Sequence, residues 1–215
     1  IFWKHKKQHK HKQPDILTKA LKIAQCDLPG LIQHWKAKKG PFRGKLGRQI
    51  PQKNYYQFIA TSGIIQHIAY LGYNALQFLP FAQSIDGDNW KLRYLVAYHY
   101  ALQHNWGNPD EFSKMIDEFH KHGIGIIADV VLSHLPNKDF NLFGKSAEDA
   151  GIHMWSNRHK QQLFMREPTP WGTMRPDYDN PHVRNFYTES CLYWMKHYHI
   201  DGFRIDNVDG ILRYG

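Results

Sequence analysis

Short apolar runs that alternate with amphipathic helices are the strongest constraint on the fold of this chain. The run GIGIIADVVL, residues 123–132, is apolar at both odd and even positions except Asp129, so a strand formed by it would be buried on both faces. The runs at 74–80 and 200–207 have the same character, and the repeating unit is a helix, a strand and a long loop. This alternation predicts an α/β fold with a parallel sheet covered by helices.

Cap residues mark where the helices begin and end. Apolar residues recur at helical spacing from Ile64 to Leu71, and Gly72 ends that helix. The pairs at 108–109 and 180–181, each Asn followed by Pro, open two further helices. The second of these is predicted to bury Val183, Phe186, Tyr187, Trp194, Met195 and Tyr198. A short helical period is also present at 14–24, and long loops are predicted at 81–107 and 133–179.

Charged residues at the strand ends suggest where chemistry occurs. In GFRID, residues 202–206, alternation places Arg204 and Asp206 on one face, while Phe203 and Ile205 pack against helices on the other. The preceding strand supplies Asp129, and His134 follows where that strand gives way to a loop. An arginine beside a carboxylate lowers its pKa, as a nucleophile requires. A buried structural ion pair is the alternative interpretation.

The first part of the chain is basic and irregular. Residues 1–13 are predicted to form a flexible basic tail, and 14–54 an irregular segment. The net charge of +9 could indicate nucleic acid binding, but the tail alone contributes five lysines, so a solvated end is favoured. There is no apolar stretch of membrane-spanning length. The distant Cys26 and Cys191 are predicted to be ordinary thiols, which fits a cytoplasmic protein.

Two motifs carry a family resemblance. GIGIIADVVLSH resembles the first signature of the α-amylase superfamily, DVVxNH, and DGFRID resembles its second, GFRxD. Their order and spacing are also similar to the family, especially to branching-enzyme and trehalohydrolase-like members, over about residues 55–215. The resemblance implies a partial (β/α)₈ TIM barrel made of the first four strand–helix units with long βα loops. Residues 55–215 would be its N-terminal half, and the first strand could lie within 14–54.

The resemblance also implies a retaining, double-displacement reaction on α-linked glucans or oligosaccharides. By position, Asp206 would be the nucleophile and Arg204 would orient and ionise it. His134 would hydrogen-bond the glucose ring, and Asp129 would support that network. Asp177, in RPDYDN, matches an acidic loop and would be structural.

Aromatic residues in the interval 81–107 are candidates for sugar stacking. Trp90, Tyr94, Tyr98 and Trp106 could pack on pyranose faces, although aromatic residues in loops also serve as local core. The WGY expected in this region reads WKL at 90–92, so Tyr94 could replace the displaced tyrosine.

Other departures from the family pattern limit what this chain is expected to do. Ser133 replaces an asparagine that often binds calcium, which argues against a structural calcium site, and no cofactor is expected. Gly210 stands where relatives often have histidine, and the signature with the acid/base glutamate would lie beyond Gly215. The chain is therefore expected to be an incomplete enzyme that tends to self-associate. A truncated, inactive glucan-binding relative is the alternative, and a nucleic-acid-binding protein is less favoured.

Overall fold

A computed structural model describes residues 12–15, 20–37, 54–85, 93–136, 163–165 and 167–212. The chain divides into two compact units. Unit 1 contains Ile1–Phe81, Leu102–Asp129 and Tyr193–Arg204, and unit 2 contains Ala82–Ala101, Val130–Leu192 and Ile205–Gly215.

Strands and helices alternate along most of the described chain. In order they are β1 (Ile23–Cys26), α1 (Leu28–Ala37), α2 (Tyr55–Thr61), α3 (Ile64–Tyr70), β2 (Ala75–Phe78), β3 (Ala82–Ser84), β4 (Val96–Leu102), α4 (Pro109–Lys121), β5 (Gly125–Val131), α5 (Pro181–Tyr198), β6 (Gly202–Asp206) and α6 (Val208–Leu212). The main sheet has the order β1-β2-β5-β6. The β1–β2 and β2–β5 pairs are parallel, as the alternation predicts.

Local sequence explains why α4 and β5 form where they do. The Asn108 side chain accepts from the Glu111 backbone N–H, and the Glu111 carboxylate accepts from the Asn108 backbone N–H, which completes a capping box before Pro109. After the helix, Gly123 adopts a φ of +72°, which the chain needs to turn directly into β5.

Two segments differ from the sequence expectation. The interval 81–107, expected to be one long loop, contains β3 and β4, which form a separate two-stranded sheet. Ile23 and Ala24, at the end of the short helical period, lie in β1 and pair with Ala75 and Leu76. Tertiary pairing to β2 overrides the weak local helical pattern here.

Unit 1 has an aromatic and aliphatic core. Tyr56, Phe112 and Trp106 are fully buried, and Phe112 makes an edge contact with the ring of Tyr56 at a centroid distance of 5.0 Å. Trp106 also fixes the start of α2, because its carbonyl accepts the backbone N–H groups of Tyr55 and Tyr56. Trp106 is therefore part of the local core, which was the alternative interpretation, and a sugar cannot stack on its ring.

Unit 2 has a smaller core beneath α5. It consists of Leu135, Leu163, Val183 and Tyr187, with Leu132, Phe164, Met174, Tyr178 and Phe186 packed around them. The buried stripe of α5 follows a spacing of three or four residues. Met195 is adjacent to Trp194 in sequence but about 100° away around the helix, so it is exposed rather than buried as expected.

Strand β6 is less buried than the alternation predicts. Ile205 is 44% exposed, although the alternation predicts that it is buried against a helix, whereas Phe203 is half-buried. Within the described part of the sheet, β6 is an outer strand, which accounts for the exposure. Leu71 is also exposed, because it lies just after the last residue of α3.

A buried carboxylate fixes the chain immediately before β6. The backbone N–H of Asp201 donates to the Ile126 carbonyl at 2.9 Å, and its side-chain Oδ2 accepts the Ile126 N–H at 2.7 Å. The same oxygen accepts from His120 Nε2 at 2.8 Å, with both side chains almost fully buried. We call the contacts of Asp201 with Ile126 and His120 the Asp201 clamp.

Both cysteines are half-buried free thiols, and burial raises the pKa of Cys26 to about 11. None of the described helices is both long and apolar enough to cross a lipid bilayer.

Candidate active site

Unit 1 brings together two of the predicted site residues, Asp129 and Arg204. Arg204 Nη1 lies 2.9 Å from Asp129 Oδ1 and 3.0 Å from Oδ2, so one nitrogen donates to both oxygens. The two residues are contributed by β5 and β6, which are neighbours in the sheet. Gln77, from β2 on the other side of β5, donates to Asp129 Oδ2 at 3.5 Å.

The two partners of this ion pair differ in solvent exposure. The Asp129 side chain is 0% exposed, whereas that of Arg204 is 42% exposed. A fully buried carboxylate requires a cation or strong hydrogen bonds, and Arg204 supplies the cation while retaining access to solvent. The structure shows Arg204 bound to the buried Asp129, and the predicted action of Arg204 on Asp206 stays a prediction.

Unit 2 holds His134 between partners on both ring nitrogens. Nε2 donates to the Tyr94 carbonyl at 2.9 Å, and Nδ1 lies 3.1 Å from Ser133 Oγ. Burial lowers the pKa of His134, and this effect is opposed by the Tyr94 hydrogen bond and by the negative charge of Asp206. The effect of Asp206 shows that its carboxylate lies close enough to His134 to act on it electrostatically. Because the pKa of His134 is lowered from 6.5, its imidazole is neutral at pH 7.

Two further side chains of unit 2 interact with His134. The Trp171 ring meets it edge-on at a centroid distance of 5.7 Å while remaining 55% exposed. His99 is buried against the rings of Phe186 and Tyr187, and burial, together with repulsion from His134 when that ring is protonated at low pH, lowers the pKa of His99 to about 3. The site thus combines a neutral imidazole with an aromatic surface open to solvent.

The remaining sequence candidates have different surroundings. Tyr94 contributes its main-chain carbonyl to the His134 contact, and its side chain is half-buried. Tyr98 lies within β4 rather than in a loop, and it is also half-buried. Trp90 is outside the described residues.

Asp177 takes part in a turn before α5. Its carboxylate accepts the backbone N–H of Asp179, and its backbone N–H donates to the Leu163 carbonyl. Its carbonyl accepts the N–H of Asn180. These contacts stabilise the loop that leads into the helix.

The side chains around Ser133 decide whether a metal ion could bind here. In the part of the chain that the structure describes, no three His, Cys, Asp or Glu side chains are grouped to hold a metal ion. Ser133 Oγ accepts from Asn207 Nδ2 at 3.2 Å and also contacts His134, so its oxygen is already engaged. These residues do not fit a calcium site, which needs several oxygen ligands.

Sequence reasoning missed Gln77, Trp171 and Asn207. Gln77 is a polar residue within an otherwise apolar strand, which is a signal of a buried polar contact. Asn207 follows Asp206 directly and adopts a φ of +49°, a conformation that asparagine tolerates better than most residues. No sequence pattern distinguishes Trp171, because its proximity to His134 arises from the folding of a long loop.

The fold and these side chains define a class. The chain is an α/β protein with polar residues in or just after the carboxyl-terminal halves of strands in its main sheet, an arrangement found in barrel-type enzymes. The family described as Alpha amylase, catalytic domain, matches residues 60–177, and the chain belongs to this family.

Individual proteins similar to this chain agree with this assignment. A 1,4-α-glucan branching enzyme of Corynebacterium glutamicum is 37% identical over 157 residues, which are 73% of this chain and 20% of that enzyme. The branching enzyme of Corynebacterium efficiens is 36% identical over the same shares of the two chains. The chain thus spans about a fifth of the length of these relatives.

Solved structures support the fold. A maltogenic α-amylase from Thermotoga neapolitana matches with a TM-score of 0.58 and 19% identity, covering 90% of this chain and 42% of the amylase. An α-amylase from Geobacillus thermoleovorans in complex with acarbose matches with a TM-score of 0.57 and 17% identity, covering 77% of this chain and 37% of that one. At these identities the likeness extends to the fold alone.

Proposed function

We propose that this chain is the N-terminal half of the catalytic barrel of an α-glucan-active glycosidase or glucanotransferase. The first four strand–helix units of the barrel would lie within it. The Asp129–Arg204 ion pair, formed between adjacent strands of a chain that belongs to the α-amylase family, is the observation that carries the proposal. A buried carboxylate bound by a half-exposed arginine near the carboxyl ends of two strands is typical of an enzyme active site.

The proposed reaction is a retaining double displacement. The Asp206 carboxylate attacks the anomeric carbon, the glycosidic C–O bond breaks, and a carboxylic acid protonates the departing oxygen. The same acid, now a carboxylate, takes a proton from the acceptor hydroxyl, which then displaces Asp206 from the sugar. We propose that the acid/base glutamate is supplied by further sequence, so the 215 residues alone are an incomplete enzyme.

His134 would act as a hydrogen-bond donor to the sugar. Its neutral ring carries a proton on Nε2, which is held by the Tyr94 carbonyl. A glucose hydroxyl would have to take the place of that carbonyl as the acceptor. Tyr94, Tyr98 and the exposed Trp171 are the proposed aromatic contacts of the glucan, and the turn contacts of Asp177 support a structural role for that residue.

Transfer to another sugar is favoured over transfer to water by one observation. The relatives with 36 and 37% identity are by name 1,4-α-glucan branching enzymes, and a new branch requires a sugar hydroxyl as the acceptor. The two outcomes are distinguished by products, because hydrolysis releases reducing ends whereas branching creates new α-1,6 linkages without a net increase in reducing ends.

The test uses the full-length protein that contains this chain, with amylose as substrate. Asp206→Asn keeps the size of the side chain but removes the nucleophile, so turnover is expected to fall by several orders of magnitude. Asp209→Asn, the same chemical change at an exposed position three residues later, is the matched control and should retain activity.

Three results would contradict the proposal in different ways. Full activity in Asp206→Asn would remove the assigned nucleophile. Amylose binding without turnover in the unmodified protein would favour a glucan-binding relative. DNA binding that weakens with salt and is lost on removal of residues 1–13 would favour a nucleic-acid-binding protein.

A further inference from the structure

Four residues of unit 2 form a continuous hydrogen-bonded chain that passes through His134. Asn207 Nδ2 lies 3.2 Å from Ser133 Oγ, and Ser133 Oγ lies 3.1 Å from His134 Nδ1. On the other side of the ring, His134 Nε2 lies 2.9 Å from the Tyr94 carbonyl. Ser133 and His134 are both buried, so water does not compete freely for these groups.

The donor and acceptor in each of these hydrogen bonds follow from which groups carry a proton. A carbonyl can only accept, so Nε2 carries the proton that it donates to Tyr94. In a neutral imidazole Nδ1 is then an acceptor, and the Ser133 hydroxyl donates to it. The Asn207 amide nitrogen can only donate, and it therefore donates to Ser133 Oγ, which leaves the single hydroxyl proton directed at His134.

Gly210 provides the space that the Asn207 side chain occupies. A Cβ at position 210 would lie 2.6 Å from Asn207 Nδ2 and 3.1 Å from its Cγ. Carbon atoms do not approach this closely without displacement, so a larger residue at 210 would move the amide away. Asn207 also holds a left-handed φ of +49°, which directs its side chain independently of the strand alternation of β6.

We propose that Ser133 and Asn207 are positioning residues that hold His134 in the tautomer with Nε2 protonated, and that Gly210 is required because it accommodates the Asn207 amide. The inference rests on the proposed function for its catalytic consequence, but not for its structural content. Asn207 connects Ser133 and Gly210, two positions at which the sequence departs from the family pattern.

Loss of the hydrogen bond between Ser133 and His134 changes the pKa of the imidazole in a defined direction. A hydrogen bond donated to Nδ1 stabilises the neutral ring, so its removal should raise the pKa of His134. Among the described residues, His99 and Asp206 are titratable groups with an electrostatic interaction with the ring, and the substitutions below leave both in place.

The structural test is a histidine ¹⁵N NMR titration of the full-length protein, with His134 assigned by a His134→Gln variant. The unmodified protein should show Nδ1 unprotonated and Nε2 protonated at pH 7. Ser133→Ala should raise the pKa of His134, and Ser133→Thr, which keeps the hydroxyl, should restore it. Ser190→Ala is the control, because Ser190 is also buried and donates to the Tyr187 carbonyl rather than to His134.

The coupling of positions 207 and 210 is tested separately. Asn207→Ala and Gly210→Ala should raise the pKa of His134 in the same direction, by less than Ser133→Ala does. The double variant should match Asn207→Ala, because no amide remains to be displaced. A Gly210→Ala effect that persists in the Asn207→Ala background would overturn the assigned role of Gly210.

Activity provides the second measurement. The Ser133→Ala enzyme should lose kcat on amylose about tenfold more than Ser190→Ala does, with a rescue by threonine. An unchanged His134 tautomer and pKa in Ser133→Ala would refute the positioning role whatever the activity. If NMR shows the expected changes but Asp206→Asn remains active, the proposed function fails and the hydrogen-bonded chain stands.

Discussion

Substitution of Asp201 by alanine tests whether the Asp201 clamp holds β5 and the start of β6 together. Asp201 Oδ2 accepts two hydrogen bonds, from the Ile126 N–H at 2.7 Å and from His120 Nε2 at 2.8 Å. Alanine would leave both donors buried and without an acceptor. Each such donor costs roughly 1–3 kcal/mol, so the free energy of local opening should fall by about 3 kcal/mol.

Hydrogen exchange at the Ile126 amide measures this loss directly. Because 1.4 kcal/mol corresponds to a factor of ten, about 3 kcal/mol predicts exchange that is roughly a hundredfold faster. Asp201→Asn retains one acceptor oxygen and should give an intermediate rate. The measurement reports a local opening, so it applies to the full-length protein without an assumption of two-state unfolding.

A matched control separates the clamp from a general charge effect. Asp179→Ala removes an exposed carboxylate from a turn in unit 2 and should leave the Ile126 amide unchanged. The reasoning is refuted if Asp201→Ala exchanges within about threefold of the unmodified protein, since a loss this small would mean that water or another group satisfies both donors.

Two further predictions concern unit 2. Trp171→Ala should raise the KM for maltooligosaccharides about tenfold with little change in kcat, which is the loss of affinity expected for one sugar–aromatic contact. Tyr70→Ala, which removes another exposed ring, should leave the KM unchanged. Equal KM values in the two variants would exclude Trp171 from substrate binding. Burial lowers the pKa of His99 to about 3, so its neutral form stabilises the fold above pH 6.5 and this contribution is lost as the pH falls towards 3. Urea unfolding should therefore show that the free energy of unfolding is about 1 kcal/mol lower at pH 5.5 than at pH 6.5. His99→Gln should reduce this difference, and the control His34→Gln, at an exposed position, should not. A pH dependence of the free energy of unfolding that His99→Gln leaves unchanged would contradict the burial argument.

Features set by local sequence were predictable. The capping box at Asn108, the glycine after α4 and the two-sided burial of β5 follow from residue types within a few positions of one another. Asp129 and Arg204 were both predicted to be site residues, but the ion pair between them was not predicted. The sequence assigned Asp129 and Arg204 to consecutive strands, but alternation could not show that Arg204 binds the carboxylate of the neighbouring strand.

Features that depend on distant segments were not predictable. Trp106 was grouped with possible sugar-stacking residues, yet it is buried against α2, more than forty positions earlier in the chain. The contacts of Trp171 and Asn207 arise when segments distant in sequence meet at positions 133 and 134. Such contacts are set by the tertiary fold, which a periodicity of two or 3.6 residues does not encode.

The exposed apolar side chains on β6 and α6 have a consequence for the colloidal behaviour of the isolated 215 residues. Ile205, Val208 and Leu212 are all solvent-accessible, while the net charge of +9 makes separate molecules repel one another. Salt shortens the range of that repulsion to about 8 Å at physiological ionic strength and leaves the apolar attraction in place. Dilute buffers should therefore keep the polypeptide dispersed, and physiological saline should bring its molecules together.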